Sequence, residues 1–125
     1  AQELGQRQVD GGHLVEVADF EKVFEHCDLV VGPTSRTTAF GIGDRMDDPL
    51  AMYASDICTI PVNLAALPGI SIPSGLAGGL PVGFQLIGPA FSENRILSAS
   101  WALEQAFGFD PVPTRLRGAA AGGAA

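Results

Sequence analysis

The sequence predicts an α/β fold, a sheet covered by helices, and three observations carry that expectation. Residues 13–26 repeat apolar side chains at helical spacing, and a β-branched strand pattern, DLVV, follows directly. A helix running straight into such a strand is an α/β arrangement. Residues 57–92, 36 in all, hold no Asp, Glu, Lys, Arg or His. Those are the side chains left outside when a core forms, so this run is expected to be mostly interior. Pro61, Pro68, Pro73, Pro81 and Pro89, with Gly69, Gly75, Gly78, Gly79, Gly83 and Gly88, cut the run into short pieces. A spanning helix needs about 20 nearly uninterrupted apolar residues. The pieces are of strand length instead, and the reading is a buried sheet core.

Each element follows from local chemistry. Residues 1–12, AQELGQRQVDGG, are polar and aperiodic and are expected to be loop or frayed terminus. In the helix over residues 13–26, Leu14, Val17, Phe20, Val23, Phe24 and Cys27 form one face; Glu16, Asp19, Glu21, Lys22 and Glu25 form the other. His13 and His26 stand at its ends with no second ligand nearby, which favours solvated or capping roles over a metal. The strand Asp28-Leu29-Val30-Val31 is stopped by Gly32-Pro33, and residues 34–43 form a Ser/Thr/Gly loop. Gly41-Ile42-Gly43 lacks the third glycine of a nucleotide fingerprint.

Asp48 is placed to cap a short helix over residues 49–54, with Pro49 at its first position. Capping explains Asp47-Asp48 better than a metal site, because no other ligand is close in sequence. Ile70-Ser71-Ile72 and residues 82–87 read as two strands joined by a Gly-rich turn at residues 75–79, with Pro73 at a strand end or bulge. Apolar on both faces, they suit a sheet covered on both sides. Ser92 is expected to cap a last helix whose buried stripe is Ile96, Ala99, Leu103, Ala106 and Phe107. Gly108 ends it, and Trp101, off the stripe, is expected to pack on a neighbouring element. Residues 111–125, PVPTRLRGAAAGGAA, are too poor in packing groups to order and read as a disordered tail.

Composition bounds the function. The 125 residues make one domain or a piece of one. A hydrophobic share of 46% with a mean hydropathy of +0.25 is high for so short a chain. The expectation is a segment cut from something larger, or one covered by partners. The net charge of −7 excludes the basic footprint of a phosphate-backbone binder. Cys27 and Cys58 have no metal-ligand spacing and are expected to be reduced, buried thiols. The start shows no signal-peptide pattern, so the expected compartment is the cytoplasm, with no membrane role.

Catalytic machinery is not legible in this chain. No serine sits in a Gly-x-Ser-x-Gly elbow, the lone Lys22 lies on a solvent face, and no Walker or Rossmann loop is present. One residue does stand out. The short helix delivers Asp56 to its C-terminal end, where the macrodipole is negative. Asp56 is also the last charge before the apolar run, so it needs a cationic or donor partner. A functional role and a structural hydrogen bond both remain open for it.

Around Asp56 a family likeness emerges. MDDPLAMYASDICTIPVNLAALPGISIPSGLAGGLPVGFQLIGPAFSENRIL resembles the C-terminal part of the amidase signature family. Residues 19–40, DFEKVFEHCDLVVGPTSRTTAF, match in register, so the likeness covers roughly residues 19–108. NLAALPGISIPSG and GLPVGFQLIGP belong to the whole family; DDPLAMYASDI points to its branch of Glu-tRNA(Gln)/Asp-tRNA(Asn) amidotransferase A subunits. The resemblance implies a mixed β-sheet covered by helices and a Ser–cis-Ser–Lys triad. The triad and the arginine that holds the substrate carboxylate lie in parts of the family chain not matched here, so no catalytic residue carries over. It further implies that Asp56 matches the aspartate holding the amino group of glutamine.

The implied organisation is an atypical segment over residues 1–18, the C-terminal part of an amidase domain over residues 19–110, and the tail from residue 111. Both ends resemble the edges of a truncated reading frame. The implied function is glutamine amide hydrolysis, supplying ammonia to misacylated Glu-tRNA(Gln) or Asp-tRNA(Asn), an enzyme role the isolated chain lacks without the triad. Subunits B and C would complete a heterotrimer, tRNA would be met only through the complex, and ATP and Mg would be used by the partner subunit, with no cofactor or metal in this chain. The alternatives are a piece of a stand-alone amidase and a non-catalytic, partner-binding remnant.

Overall fold

The computed structural model describes residues 12–113 and 116, with side chains from Val17 onward. The expectations for residues 1–11, for the His13, Leu14 and Glu16 side chains, and for most of the tail lie outside the described residues. The elements run α1 (Gly12–Phe24), β1 (Val30–Pro33), α2 (Pro49–Ser55), α3 (Ile60–Leu64), β2 (Gly69–Ala77), β3 (Leu80–Ile87) and α4 (Glu93–Phe107). The α/β class is as expected. The sheet order is β1-β3-β2, and both pairings are antiparallel. The parallel pairing that a mixed sheet requires is not among these three strands.

β2 and β3 form a hairpin longer than the apolar pattern suggested. Its turn is only Gly78-Gly79, at φ 59° and 81°, closed by the Ala77↔Leu80 pair. Two consecutive positive φ values make the tight connection whose twist suits paired strands, and glycine adopts them without a Cβ penalty. Gly75, expected in the turn, lies instead in the strand, beside a register shift between Pro73 and Gly75. That bulge answers the donor missing at Pro73, and the Ser74 hydroxyl spends its hydrogen on Val82 O at 3.1 Å. β1 begins at Val30 rather than Asp28 and runs through Pro33, which pairs with Phe84. As an edge strand it tolerates a proline.

The core lies on one face of the hairpin. The cross-strand pairs Ile70↔Leu86 and Ile72↔Phe84 put four apolar side chains on that face, and α4 lays Ile96, Ala99 and Leu103 over them. Phe107 meets the Phe84 ring edge-on at 5.5 Å. Ser100 is also buried, whereas Ala106, assigned to the stripe, is exposed. Trp101 is 67% exposed, so most of its ring is not covered by the neighbouring element it was expected to pack on. The opposite face is not uniformly apolar. Ile87 and Val62 are buried at one end, and Ser71 and Gln85 stand between. α3, unforeseen in the sequence, covers that end: a Cβ on Gly69 would meet Val62 Cγ1 at 3.4 Å.

The uncharged run is less interior than its composition implied. Within it Val62, Ala65, Ile72, Gln85, Leu86 and Ile87 are buried, while Leu76 is 60% exposed and Ile57, Leu64 and Leu80 are also open. Absence of charge marks surface that water does not favour, whatever covers it. The thiols are likewise not a buried pair, since Cys27 is exposed and Cys58 is half-buried. Among the described residues no helix is long and apolar enough to cross a membrane.

Ser92 occupies the N-cap position of α4, yet its side chain makes no capping bond, and its Oγ is buried without a partner. A working cap contributes about 1 kcal/mol, whereas a buried, unsatisfied hydroxyl opposes folding. Ser92→Ala is therefore expected to leave the melting temperature unchanged or slightly raised. A fall of several degrees would show that the hydroxyl caps after all.

Candidate functional site

The site is built where α2 meets the loop after β1. Asp48 begins α2 as expected: its carboxylate accepts the Ala51 N–H at 3.0 Å, and Pro49 follows in the first turn. The helix ends on Ser55, with Asp56 as its C-cap. The backbone of Asp56 is fully engaged. Its N–H donates to Tyr53 O at 3.2 Å, and its carbonyl accepts from the N–H groups of Thr59 and Ile60, each at 2.9 Å. The Thr59 hydroxyl adds a third bond to that carbonyl at 3.1 Å. The Asp56 side chain, by contrast, is exposed and makes no hydrogen bond or ion pair among the described residues. The hydrogen bonds at this position are the backbone's, and the side-chain hydrogen bond left open in the sequence is not made among the described residues.

Three ties hold this junction. Arg45, half-buried, donates to Thr37 Oγ1 at 3.0 Å, to Ala51 O at 3.5 Å and to Ser55 Oγ, while its guanidinium stacks 3.9 Å above the Phe40 ring. Ser35 Oγ donates to Ser55 O at 3.2 Å. From the sheet side, the buried Gln85 donates through Nε2 to Cys58 O at 3.0 Å. A cation at the C-terminal turn of a helix offsets its negative end, so Arg45 supplies part of the compensation that Asp56 lacked in sequence.

Beside the junction lies a cleft of about 400 Å³ lined by Thr34, Ser35, Thr37, Thr38 and Ser71, together with apolar groups of β2 and β3. Thr34 Oγ1 and Ser71 Oγ hydrogen-bond at 2.5 Å. Gly83 makes room for that pair, since a Cβ there would lie 2.6 Å from Ser71 Oγ and 2.7 Å from Thr34 Oγ1. Ser35 and Thr37 belong both to the cleft wall and to the ties on α2. The cleft and the end that carries Asp56 are therefore one hydrogen-bonded unit. The cleft itself offers hydroxyls, which suit binding of a small polar molecule, while the Asp56 carboxylate lies outside its lining.

The structure places the remaining candidates apart from one another. Asp47 and His26 are exposed, and Lys22 pairs at 3.8 Å with Asp19 on the surface of α1. Among the described residues no group of three His, Cys, Asp or Glu is arranged to hold a metal. Arg45 and Gln85 were not singled out in the sequence. A lone arginine inside the acidic stretch DRMDD, and a glutamine inside an uncharged strand, were the signals available.

The sequence family described as Amidase matches residues 12–97. The chain belongs to the amidase family. Its curated relatives include the glutamyl-tRNA(Gln) amidotransferase A subunit of Thermoanaerobacter pseudethanolicus, 58% identical over 101 residues, or 81% of this chain and 21% of that protein. Among solved structures, the glutamyl-tRNA(Gln) amidotransferase A subunit of Thermotoga maritima is 42% identical with a TM-score of 0.63, covering 67% of this chain and 19% of that one. A 6-aminohexanoate cyclic dimer hydrolase shares the fold at 24% identity and a TM-score of 0.70, over 82% of this chain and 26% of its own. This amidase-family chain thus spans about a fifth of the length of the curated relatives it matches.

Proposed function

We propose that this chain is the C-terminal part of the A subunit of a glutamine-dependent amidotransferase, in which Asp56 binds the amino group of glutamine. The observation that carries the reading is an exposed, unpaired carboxylate held in place by its own backbone, within a chain 58% identical to an amidotransferase A subunit. In the complete protein, glutamine is hydrolysed to glutamate and ammonia, and the ammonia passes to tRNA-bound Glu or Asp. The residues that attack the amide belong to other parts of the polypeptide, so residues 12–113 contribute one binding group and do not hydrolyse by themselves. Subunits B and C complete the assembly in the cytoplasm, and ATP and Mg serve the partner subunit. Residues 19–110 act as one portion of the amidase domain. The open apolar side chains of Leu50, Tyr53 and Leu76 support that reading, since a larger domain would cover them.

The test is Asp56→Ala in the complete protein, assembled with its partners. A hydrogen bond to a charged group contributes about 1.5–3 kcal/mol, so the KM for glutamine should rise roughly 10- to 100-fold. The maximal rate should change little, because the contact serves ground state and transition state alike. An unchanged KM removes the role of Asp56.

A further inference from the structure

We infer that Arg45 is a positioning residue that sets the Asp56 carboxylate for the substrate's amino group; this rests on the reading of Asp56 given above. α2 has seven residues, under two turns, and helices this short are marginal without outside support. Its last residue, Ser55, immediately precedes Asp56, so any rotation of the final turn re-aims the carboxylate. Ser35 holds the Ser55 carbonyl from outside the helix, and Arg45 is the side chain that holds that turn at two points. It reaches Ala51 O and Ser55 Oγ on the helix, and Thr37 Oγ1 on the wall of the cleft.

The guanidinium is suited to this task because its donors lie in one rigid plane. The Phe40 ring at 3.9 Å sets the tilt of that plane. Among the described residues Arg45 makes no salt bridge, so its charge is not committed to a carboxylate. The same cation offsets the negative end of α2, next to the Asp56 carboxylate. Gln85, holding Cys58 O, steadies the chain on the far side of Asp56. The aspartate is thus anchored two residues downstream by the sheet and one residue upstream by Arg45. Removing the upstream anchor leaves the carboxylate present but misdirected.

The experiment compares glutamine with glutaramate, which keeps the amide and the carboxylate but has no α-amino group. The complete protein in its assembled complex carries Arg45→Ala, Ser55→Ala or Asp56→Asn. The KM for glutamine and the inhibition constant of glutaramate against glutamine hydrolysis are measured for each. Misplacing a binding group by about 1 Å can cost up to about 100-fold. Arg45→Ala is therefore expected to raise the glutamine KM roughly tenfold, with the glutaramate constant and the maximal rate within about twofold. Ser55→Ala removes the hydroxyl that Arg45 holds, together with that hydroxyl's own bond to Ala51 O at 3.1 Å, and should shift the glutamine KM in the same direction by less. It decides the matter if Arg45→Ala does not fold. Equal losses on both compounds, or no loss on glutamine, overturn the role of Arg45. If Asp56→Asn weakens glutamine alone while neither other variant discriminates, only the Arg45 inference falls. If Asp56→Asn leaves glutamine unaffected, the amino-group reading and this inference fall together.

Discussion

Leu86→Ala is expected to lower the stability of the protein by about 2–5 kcal/mol. Leu86 is the one large side chain that is completely shielded among the described residues, at 0% exposure. It sits one residue from the end of β3, paired with Ile70 of β2 and packed with Ile96 of α4. Truncation there loses the transfer free energy of the side chain and leaves a cavity between two rigid layers, the hairpin and the helix. Neither layer can collapse easily, because the hairpin is closed by its Gly78-Gly79 turn and α4 is held near both ends. Near one end Arg95 bonds Asp28 at 3.0 Å, and at the other Phe107 rests on Phe84. The ion pair is exposed and contributes little by itself, so the penalty falls on packing. Urea unfolding of the purified protein should show the midpoint falling with an unchanged slope. A loss below about 1 kcal/mol would mean that α4 relaxes onto the sheet more freely than this packing allows.

The elements that show most clearly in the sequence are those whose cause is local. α2 is announced by Asp48 and Pro49, and the structure supplies the bond from Ala51 N to Asp48. α4 is announced by its apolar spacing and by Gly108, which ends it at φ 58° in the left-handed region. The bulge at Pro73 follows from the missing donor alone. The elements that escaped have non-local causes. α3 spans five residues, IPVNL, too few for a helical period to appear, and it forms where the chain turns a corner over the end of the sheet. Ser92 has the chemistry of a cap, but the approach of Gly88 and Ile96 leaves its hydroxyl facing inward. An uncharged run reads alike whether this chain or a larger domain buries it, and here much of it stays open.

The candidate site divides along the same line. Asp56 stood out because a carboxylate at a helix C-terminus opposes the helix dipole, a conflict visible in one dimension. What makes the position usable is not visible there. Thr37 and Ser55 lie eight and ten residues from Arg45, and Gln85 lies 27 residues from Cys58. Thr34 and Ser71, 37 residues apart, meet only because β1 and β2 both flank β3. Hydroxyls are common in loops, so no spacing rule would have grouped those that line the cleft. The sheet order is what brings them together.

Gly88→Val is expected to destabilise the protein by about 1–3 kcal/mol, for a reason that differs from the loss at Leu86. Gly88 follows β3 directly, is buried, and donates its N–H to Pro68 O at 3.1 Å. Its backbone is not among the positive-φ positions, so a side chain would meet no strain in the main chain. The obstacle is the first turn of α4. A Cβ at residue 88 would lie 3.0 Å from both Cδ1 and Cγ1 of Ile96, and would crowd Ser92 Oγ as well. Valine adds two methyl groups beyond that atom, so α4 must lift from the core or Ile96 must leave its rotamer. The cause can be isolated with Ile96→Val, which shortens the clashing side chain and alone costs about 0.5–1.5 kcal/mol. If the clash is the mechanism, the double variant should be more stable than the two single losses added together, because contacting sites couple by about 0.5–3 kcal/mol. Strict additivity of the two changes would show that Ser92 Oγ, which a Cβ at residue 88 would meet before Ile96, sets the cost instead.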